Sequence, residues 1–237
     1  MINNYRFYDN FLISFIIPVK RDIRVIQCIY ELQRYILSES LNAEIIICGD
    51  FTTLDLTQNI TLIETIPAYK GTSIRKGVLS SKGDLIVVCD ADLPILLDDL
   101  TNLIEHLFDA DISLGNRYLP ESKFIIKSPL HRRCISRIFQ FIVNILFREI
   151  KFDTQCGVKA FRRSAALTIF ANPVSISLIY DVQIILRALY RKMKITQVPV
   201  HWKSLPSSTI NLWSDLPLAT IEILRLWKTS KFDINSL

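Results

Sequence analysis

Two aspartates one residue apart, Asp90 and Asp92, close a short apolar run, Leu85-Ile86-Val87-Val88-Cys89, that follows Gly83-Asp84. Carboxylate oxygens are hard donors that suit Mg2+ or Mn2+. Two of them leave most of a cation's shell free for other oxygens, such as those of a nucleotide diphosphate. The run is rich in branched residues and has no polar interruption, which predicts a strand buried on both faces, as in a parallel sheet. Open α/β sheets place their ligands beyond the carboxyl ends of such strands, where both acids fall. If the extended backbone persists, the two side chains project the same way. A plainer role competes, in which Asp92 caps a helix starting near Pro94.

The elements that must position this pair are legible in the first half of the chain. Leu12 to Pro18 predicts a strand ending at the proline, and Arg21 to Ser38 predicts a helix with Val25, Ile29, Leu32 and Ile36 on one face. Glu44 to Cys48 predicts a second strand leading into the polar turn Gly49-Asp50-Phe51-Thr52-Thr53-Leu54-Asp55, and Ile60 to Ile66 a third. Helices are expected over Lys70 to Ser81 and Pro94 to about Leu107, and a strand over Asp111 to Gly115. This alternation implies a doubly wound, mostly parallel sheet that binds a nucleotide across its strand ends. The residues there are Pro18, Asp50, Asp90 and Asp92. Lys70, Arg75 and Lys76 either face a diphosphate from a helix start or are solvated surface cations.

The second half has another texture. Asn116 to Pro129 is expected to be a loop carrying Arg117, Lys123 and Lys127. Residues 131–150 predict an amphipathic helix with Arg132, Arg133 and Arg137 at its front and Ile138, Phe139, Phe141, Ile142, Ile145, Leu146 and Phe147 in its body. Residues 212–228 predict another, with Trp213 and Trp227 beside Arg225 and Lys228. Such helices either lie in a membrane interface or pack on a core. Asp153 to Gly157 reads as a polar loop, Val158 to Phe161 as a strand, Ser164 to Phe170 and Ser177 to Lys192 as helices, and Ile195 to Trp202 as one strand.

Bulk properties bound the class. The 237 residues fit a single domain with a large core, and half of them are hydrophobic. Mean hydropathy is +0.28, yet no run approaches the ~20 apolar residues of a membrane span. Met1 to Asn10 carries no cleavage signal. Five scattered cysteines, without metal-type spacing, fit reduced thiols of a cytoplasmic protein. A net charge of +5 favours anionic partners, and the dispersal of the basic residues argues against nucleic acid.

Taken together in order, several segments resemble glycosyltransferase family 2, inverting enzymes of the GT-A fold. Within it the chain is most similar to the polyprenyl- and dolichyl-phosphate sugar transferases, the glucosyl branch above the mannosyl one. The segments are Ile16-Ile17-Pro18-Val19, Lys70-Gly71 with Arg75 and Gly77, Gly83-Asp84 through Asp92-Leu93, Gly115-Asn116-Arg117-Tyr118, Asp153-Thr154-Gln155-Cys156-Gly157 through Phe161, Tyr180-Asp181, and Val198-Pro199-Val200-His201-Trp202. The resemblance implies one transferase domain over 1–237, with a nucleotide half at about 12–116 and an acceptor half at about 117–237.

It also implies roles. Pro18 would border the base, Asp50 the uracil or ribose, and Asp90 the ribose and diphosphate. Asp92 would ligate Mg2+ or Mn2+. Arg117 and Asp153 would line the acceptor end as catalytic residues, and Arg117, Arg132 and Arg133 would hold an acceptor phosphate. The implied partners are a nucleotide-sugar donor, UDP-linked before GDP-linked, and a lipid phosphate at a membrane's cytosolic face, with a homo-oligomer allowed. A phosphate acceptor is already ionised near neutrality, so Asp153 then orients a group instead of taking a proton. The chain departs from the family at Lys20-Arg21-Asp22, where Tyr-Asn-Glu is usual, at Gly49-Asp50-Phe51-Thr52, where paired acids precede Gly-Ser, and at Gln183, where Asp-x-Glu is usual. These departures leave the donor open and leave room for a weakened relative that binds nucleotide sugar; a separate alternative is transfer to a saccharide or protein hydroxyl.

Overall fold

A computed structural model describes residues 6–51, 60–127, 129–177, 179–204 and 212–232, without the side chains of 131, 132, 212–218 and 230–232. The part of the acidic turn at 52–59 therefore lies outside the described residues.

The core is a seven-stranded sheet covered on both faces, ordered β3 (Ile60–Glu64), β2 (Ala43–Asp50), β1 (Ile13–Lys20), β4 (Leu85–Cys89), β7 (Val158–Arg162), β5 (Ile112–Asn116) and β8 (Ile195–Pro199). Its first four strands in the chain, β1 to β4, are all parallel. Alternation along them explains their unbroken apolar runs. Ile16, Ile46, Ile86 and Val88 point into one core with α2 (Lys70–Ser80), α5 (Arg163–Phe170) and α6 (Tyr180–Tyr190). Phe15, Ile17, Val87 and Cys89 point into the other, with α1 (Arg24–Ser38) and α3 (Leu97–Glu105). A strand buried on both faces cannot alternate polar with apolar. Helix α1 instead shows one buried stripe, Val25, Cys28, Ile29, Leu32 and Tyr35, as a surface helix should.

The remaining strands are β5 (Ile112–Asn116), β7 (Val158–Arg162) and β8 (Ile195–Pro199). Strand β7 runs antiparallel between β4 and β5, while β5 and β8 are parallel. The sheet is thus mostly parallel, as expected. Five local expectations are corrected. The segment read as a loop holds β6 (Lys123–Ile126), paired in parallel with β9 (His201–Lys203). The single strand expected over Ile195 to Trp202 is two, because Pro199 has no N–H to carry the ladder on, and Val200 turns away to donate to the Ser122 hydroxyl. Helix α4 (Leu130–Leu146) stops before Ile150, and α7 (Leu212–Phe232) runs past Lys228. Strand β1 runs two residues past Pro18.

That last point opens the molecule. Strand β1 pairs with β2 from Ile13 to Lys20, but with β4 only as far as Ile16. Beyond that level β1 and β4 part, and Pro18, which has no N–H to donate, falls where no β4 partner remains. The chain also reverses here, having laid β2 and β3 on one side of β1 before placing β4 on the other. Their separation is the switch-point crevice in which α/β sheets bind ligands.

Gly49 holds the neighbouring edge. It sits at φ +144°, and a Cβ there would lie 1.8 Å from the Val19 carbonyl oxygen. Gly49→Ala is therefore expected to lower stability by about 1–3 kcal/mol or more, read as an earlier urea midpoint with an unchanged slope.

Candidate functional site

Asp90 follows the last residue of β4, and its amide donates to the Gly157 carbonyl at 3.1 Å. The carboxylate lies flat against Gly157, where a Cβ would come within 2.2 Å of Oδ2. Its Oδ1 meets Nζ of Lys70, the first residue of α2, at 2.6 Å. Burial works against the Lys70 charge, but the Asp90 carboxylate outweighs it and holds the ammonium's pKa well above its usual value. The next turn is closed by Leu93 N–H donating to Asp90 O at 2.9 Å. Leu93 itself adopts φ +41°, a left-handed conformation that costs a non-glycine residue energy and is held by burial of its side chain.

This turn brings Asp92 to the crevice with its side chain 23% exposed. Burial, and then the Asp90 charge, raise its pKa. That is the state of a carboxylate that gains from a nearby cation. Here the cation is Arg24, whose Nη1 donates to Asp92 Oδ2 at 3.0 Å. The same guanidinium grips Asp22, with Nε 2.8 Å from Oδ1, and the Arg24 amide donates to that oxygen at 3.0 Å. Asp22 thereby caps α1, whose N-cap residue Ile23 offers no side-chain acceptor. The Arg24 hydrogen bond holds the Asp22 pKa below the usual carboxylate range.

Asp50 ends β2 on the same edge of the sheet, opposite Lys20, and meets Arg21 Nε at 2.9 Å. Arg21 is mostly exposed, so that pair adds little. Arg75 does not join this group. Its guanidinium caps the end of α5, donating to the carbonyls of Phe170, Ala171 and Asn172 at 2.6–3.2 Å. The expectation that Arg75 faces a diphosphate is corrected accordingly.

A second cluster lies beyond β5. Arg117 donates from Nε to Asp153 Oδ2 at 2.7 Å and from Nη2 to Oδ1 at 2.8 Å, and its amide adds a bond to Oδ2 at 3.1 Å. Gln155 N–H donates to Oδ1 at 3.3 Å. The Asp153 side chain is 1% exposed. Burial pushes its pKa up, and the Arg117 charge and hydrogen bonds overcome this and hold it below the usual range. Arg117 is also stacked, its guanidinium carbon 4.9 Å from the Trp202 ring and 5.4 Å from that of Tyr118. Beneath the 153–157 loop, buried Lys159 pairs with Asp181 at 2.6 Å and donates to the Cys156 carbonyl at 2.7 Å.

Tyr118 and Ser136 hydroxyls approach at 3.5 Å, which ties α4 to the Arg117 end. Arg133 is half-buried on the first turn of α4, and the Arg132 side chain lies outside the described residues. Along α4, Leu130, Ile138, Phe141, Ile142 and Ile145 are exposed, as are Ile125 and Ile126 of the neighbouring β6. From Ser122 to Arg148 there is no acidic residue.

Among the described residues no group of three or more His, Cys, Asp or Glu side chains could enclose a metal. Two crowded carboxylates, one with a raised pKa, still fit a hard divalent cation that draws its other oxygens from a ligand. Sequence reasoning missed Arg24 as a member of the site. An arginine two residues after an aspartate has no distinctive spacing, and its second partner lies 68 positions away. Trp202 was visible only as part of a resembling segment.

The family model for glycosyl transferase family 2 matches residues 14–170. A dolichyl-phosphate beta-glucosyltransferase of Trichomonas vaginalis is 32% identical over 168 residues, 66% of this chain and 50% of that protein. Enzymes of the same name from Saccharomyces cerevisiae and Homo sapiens are 29% and 30% identical, over 62% and 69% of this chain and 48% and 52% of their own length. The chain thus spans about half the length of the curated relatives it matches. Among solved structures, glucosyl-3-phosphoglycerate synthase from Mycobacterium tuberculosis in complex with UDP superposes with a TM-score of 0.66 over 92% of this chain and 80% of that one, at 12% identity. The same synthase with Mn2+ and UDP-glucose gives 0.65 at 14% identity, over 92% and 79%. At such identities the likeness shows the fold alone, that of GT-A transferases.

Proposed function

The chain belongs to glycosyl transferase family 2, and from that premise we propose that it is an inverting transferase that moves glucose from UDP-glucose to a dolichyl or polyprenyl phosphate at a membrane's cytosolic face. The observation that carries the acceptor class is the state of Asp153. Both its oxygens are taken by Arg117 and Gln155, it is shut from solvent, and its affinity for a proton is lowered. A carboxylate so occupied cannot take the proton of an attacking hydroxyl. A phosphate monoester, with a second pKa near ~6, needs no such base. Asp153 is then a positioning residue that fixes Arg117, and the hydroxyl-acceptor alternative loses its base.

The residues divide the work across the crevice. Lys70 and Arg24 bring positive charge to where the donor's diphosphate lies, and Asp50 borders the nucleoside from the end of β2. Asp90 and Asp92 would hold Mg2+ or Mn2+, which when bound supplies charge stabilisation to the leaving diphosphate. An acceptor phosphate oxygen attacks the anomeric carbon from the face opposite that leaving group, and the configuration inverts. Arg117, with Arg133 and Arg132 on α4, orients the acceptor phosphate. The donor half spans about 12–116 and the acceptor half the remainder.

The donor is tested by thermal unfolding with UDP-glucose or GDP-mannose, each with and without Mn2+. Selective stabilisation by UDP-glucose with Mn2+ is expected, and stabilisation by GDP-mannose alone would move the chain to the mannosyl branch.

No helix among the described residues is long and apolar enough to cross a membrane. The acid-free, apolar outer face of α4 supplies an interfacial contact. Introducing Ile138→Asp with Phe141→Asp should weaken binding to vesicles containing phosphatidylserine by more than about tenfold, since each side chain buries ~1.5–3 kcal/mol of apolar surface. Both residues are exposed, so thermal stability should not change. Unaltered sedimentation with vesicles would remove α4 from the contact.

A further inference from the structure

Among the described residues of the crevice, Arg24 joins two carboxylates, Asp22 and Asp92. Three acids, Asp22, Asp90 and Asp92, face two cations, Arg24 and Lys70, which leaves one negative charge in excess. A divalent cation arriving alone raises the local charge by two, and the diphosphate diester of a nucleotide sugar arriving alone lowers it by two. Arriving together they leave the balance as it stands. The guanidinium's attachment is also uneven. Asp22 holds it through Nε and Nη2 and also accepts from the Arg24 amide at the capped start of α1, whereas Asp92 holds a single nitrogen, Nη1.

From this geometry we infer that Arg24 couples metal binding to nucleotide binding. Without a metal it occupies Asp92 and competes with any divalent ion for that carboxylate. When an ion takes Asp92, Arg24 stays anchored on Asp22, and Nη1 becomes a free donor facing the crevice, suited to a phosphate oxygen. Metal without nucleotide must displace an arginine that has nowhere better to go. Metal with nucleotide hands that arginine a new acceptor. Arg24 is thus a positioning residue that makes each ligand favour the other. The inference rests on the reading of Asp90 and Asp92 as the metal and nucleotide site.

The test measures Mn2+ binding directly, from the free Mn2+ electron paramagnetic resonance signal, for the full chain with and without UDP and corrected for Mn2+ held by UDP in buffer. For the unaltered protein, UDP should tighten Mn2+ binding by about tenfold or more, within the ordinary range of coupling between sites. In Arg24→Gln, Mn2+ alone should bind about tenfold more tightly, and the gain from UDP should fall below about threefold. Arg24→Met, uncharged and of similar length, is an independent second variant, and circular dichroism reports whether each has folded. If the folded variants keep the unaltered protein's Mn2+ affinity and UDP gain, Arg24 does not couple the ligands and the inference is overturned, while the site reading stands. If neither the unaltered protein nor the variants bind Mn2+ in the presence of UDP, the site reading itself is overturned, and the inference with it.

Discussion

Asp92→Ala should reduce kcat/KM for glucose transfer from UDP-glucose to dolichyl phosphate by about 10²–10³-fold, the usual effect of removing one group that stabilises developing charge. The fold should survive. Asp92 is at a crevice lip with its side chain partly exposed, and its closest polar partner, Arg24, keeps the bidentate grip on Asp22 when Asp92 is gone. Burial and the neighbouring Asp90 charge already disfavour the ionised form of Asp92. Removing it relieves that repulsion, so the melting temperature should hold or rise slightly. Activity lost with stability kept is the signature of a functional acid, and a drop in both would mark Asp92 as a structural cap. Kinetics and thermal unfolding on the same preparation separate the two, and a loss of less than about fivefold would count against the functional role.

Arg117→Ala should lower stability by about 3–5 kcal/mol, because it leaves Asp153 buried without its counter-charge. The stacking of the guanidinium on Trp202 is lost as well. The pH dependence carries the sign of the pair. In the unaltered protein the Asp153 pKa is depressed, so its contribution is fully present above the unfolded value near ~3.9 and disappears only as pH falls through the lower folded value. In Arg117→Ala burial is opposed only by the more weakly acting Lys159 charge and the Gln155 N–H, and it pushes the Asp153 pKa up. The variant should therefore become more stable as pH is lowered from 7 to 5, while the unaltered protein gains nothing from this group. Urea midpoints at the two pH values read the difference, and a variant that loses stability on acidification would contradict the pairing.

Much of the architecture could be read from local pattern. The runs of β1, β2 and β4, the stripe of α1 and the placement of two acids after β4 follow from residue order, since burial on one face or two imprints its own period. What escaped was non-local. Nothing within Val158–Arg162 tells its direction, because a five-residue segment reads the same for a parallel or an antiparallel neighbour. Strand β6 escaped because its four residues gain strand character only from β9, 78 positions on. Arg75 was misplaced because its acceptors are carbonyls at the end of a helix about 95 positions away. Arg24 was missed for the same reason, since its bond to Asp92 exists only once β4 lies beside β1. The departures at Lys20-Arg21-Asp22 look less disruptive in the fold. Asp22 caps α1 and anchors Arg24, and Arg21 reaches outward to Asp50.

On the proposed function the nucleophile brings its own negative charge, because Asp153 at the acceptor end is locked to Arg117. The direct measurement supplies UDP-glucose and Mn2+ with dolichyl phosphate in one reaction and the uncharged alcohol dolichol in another, and follows glucose into the lipid phase. Product from dolichyl phosphate and none from dolichol is the predicted result. Comparable transfer to dolichol, or none to either lipid, would contradict it.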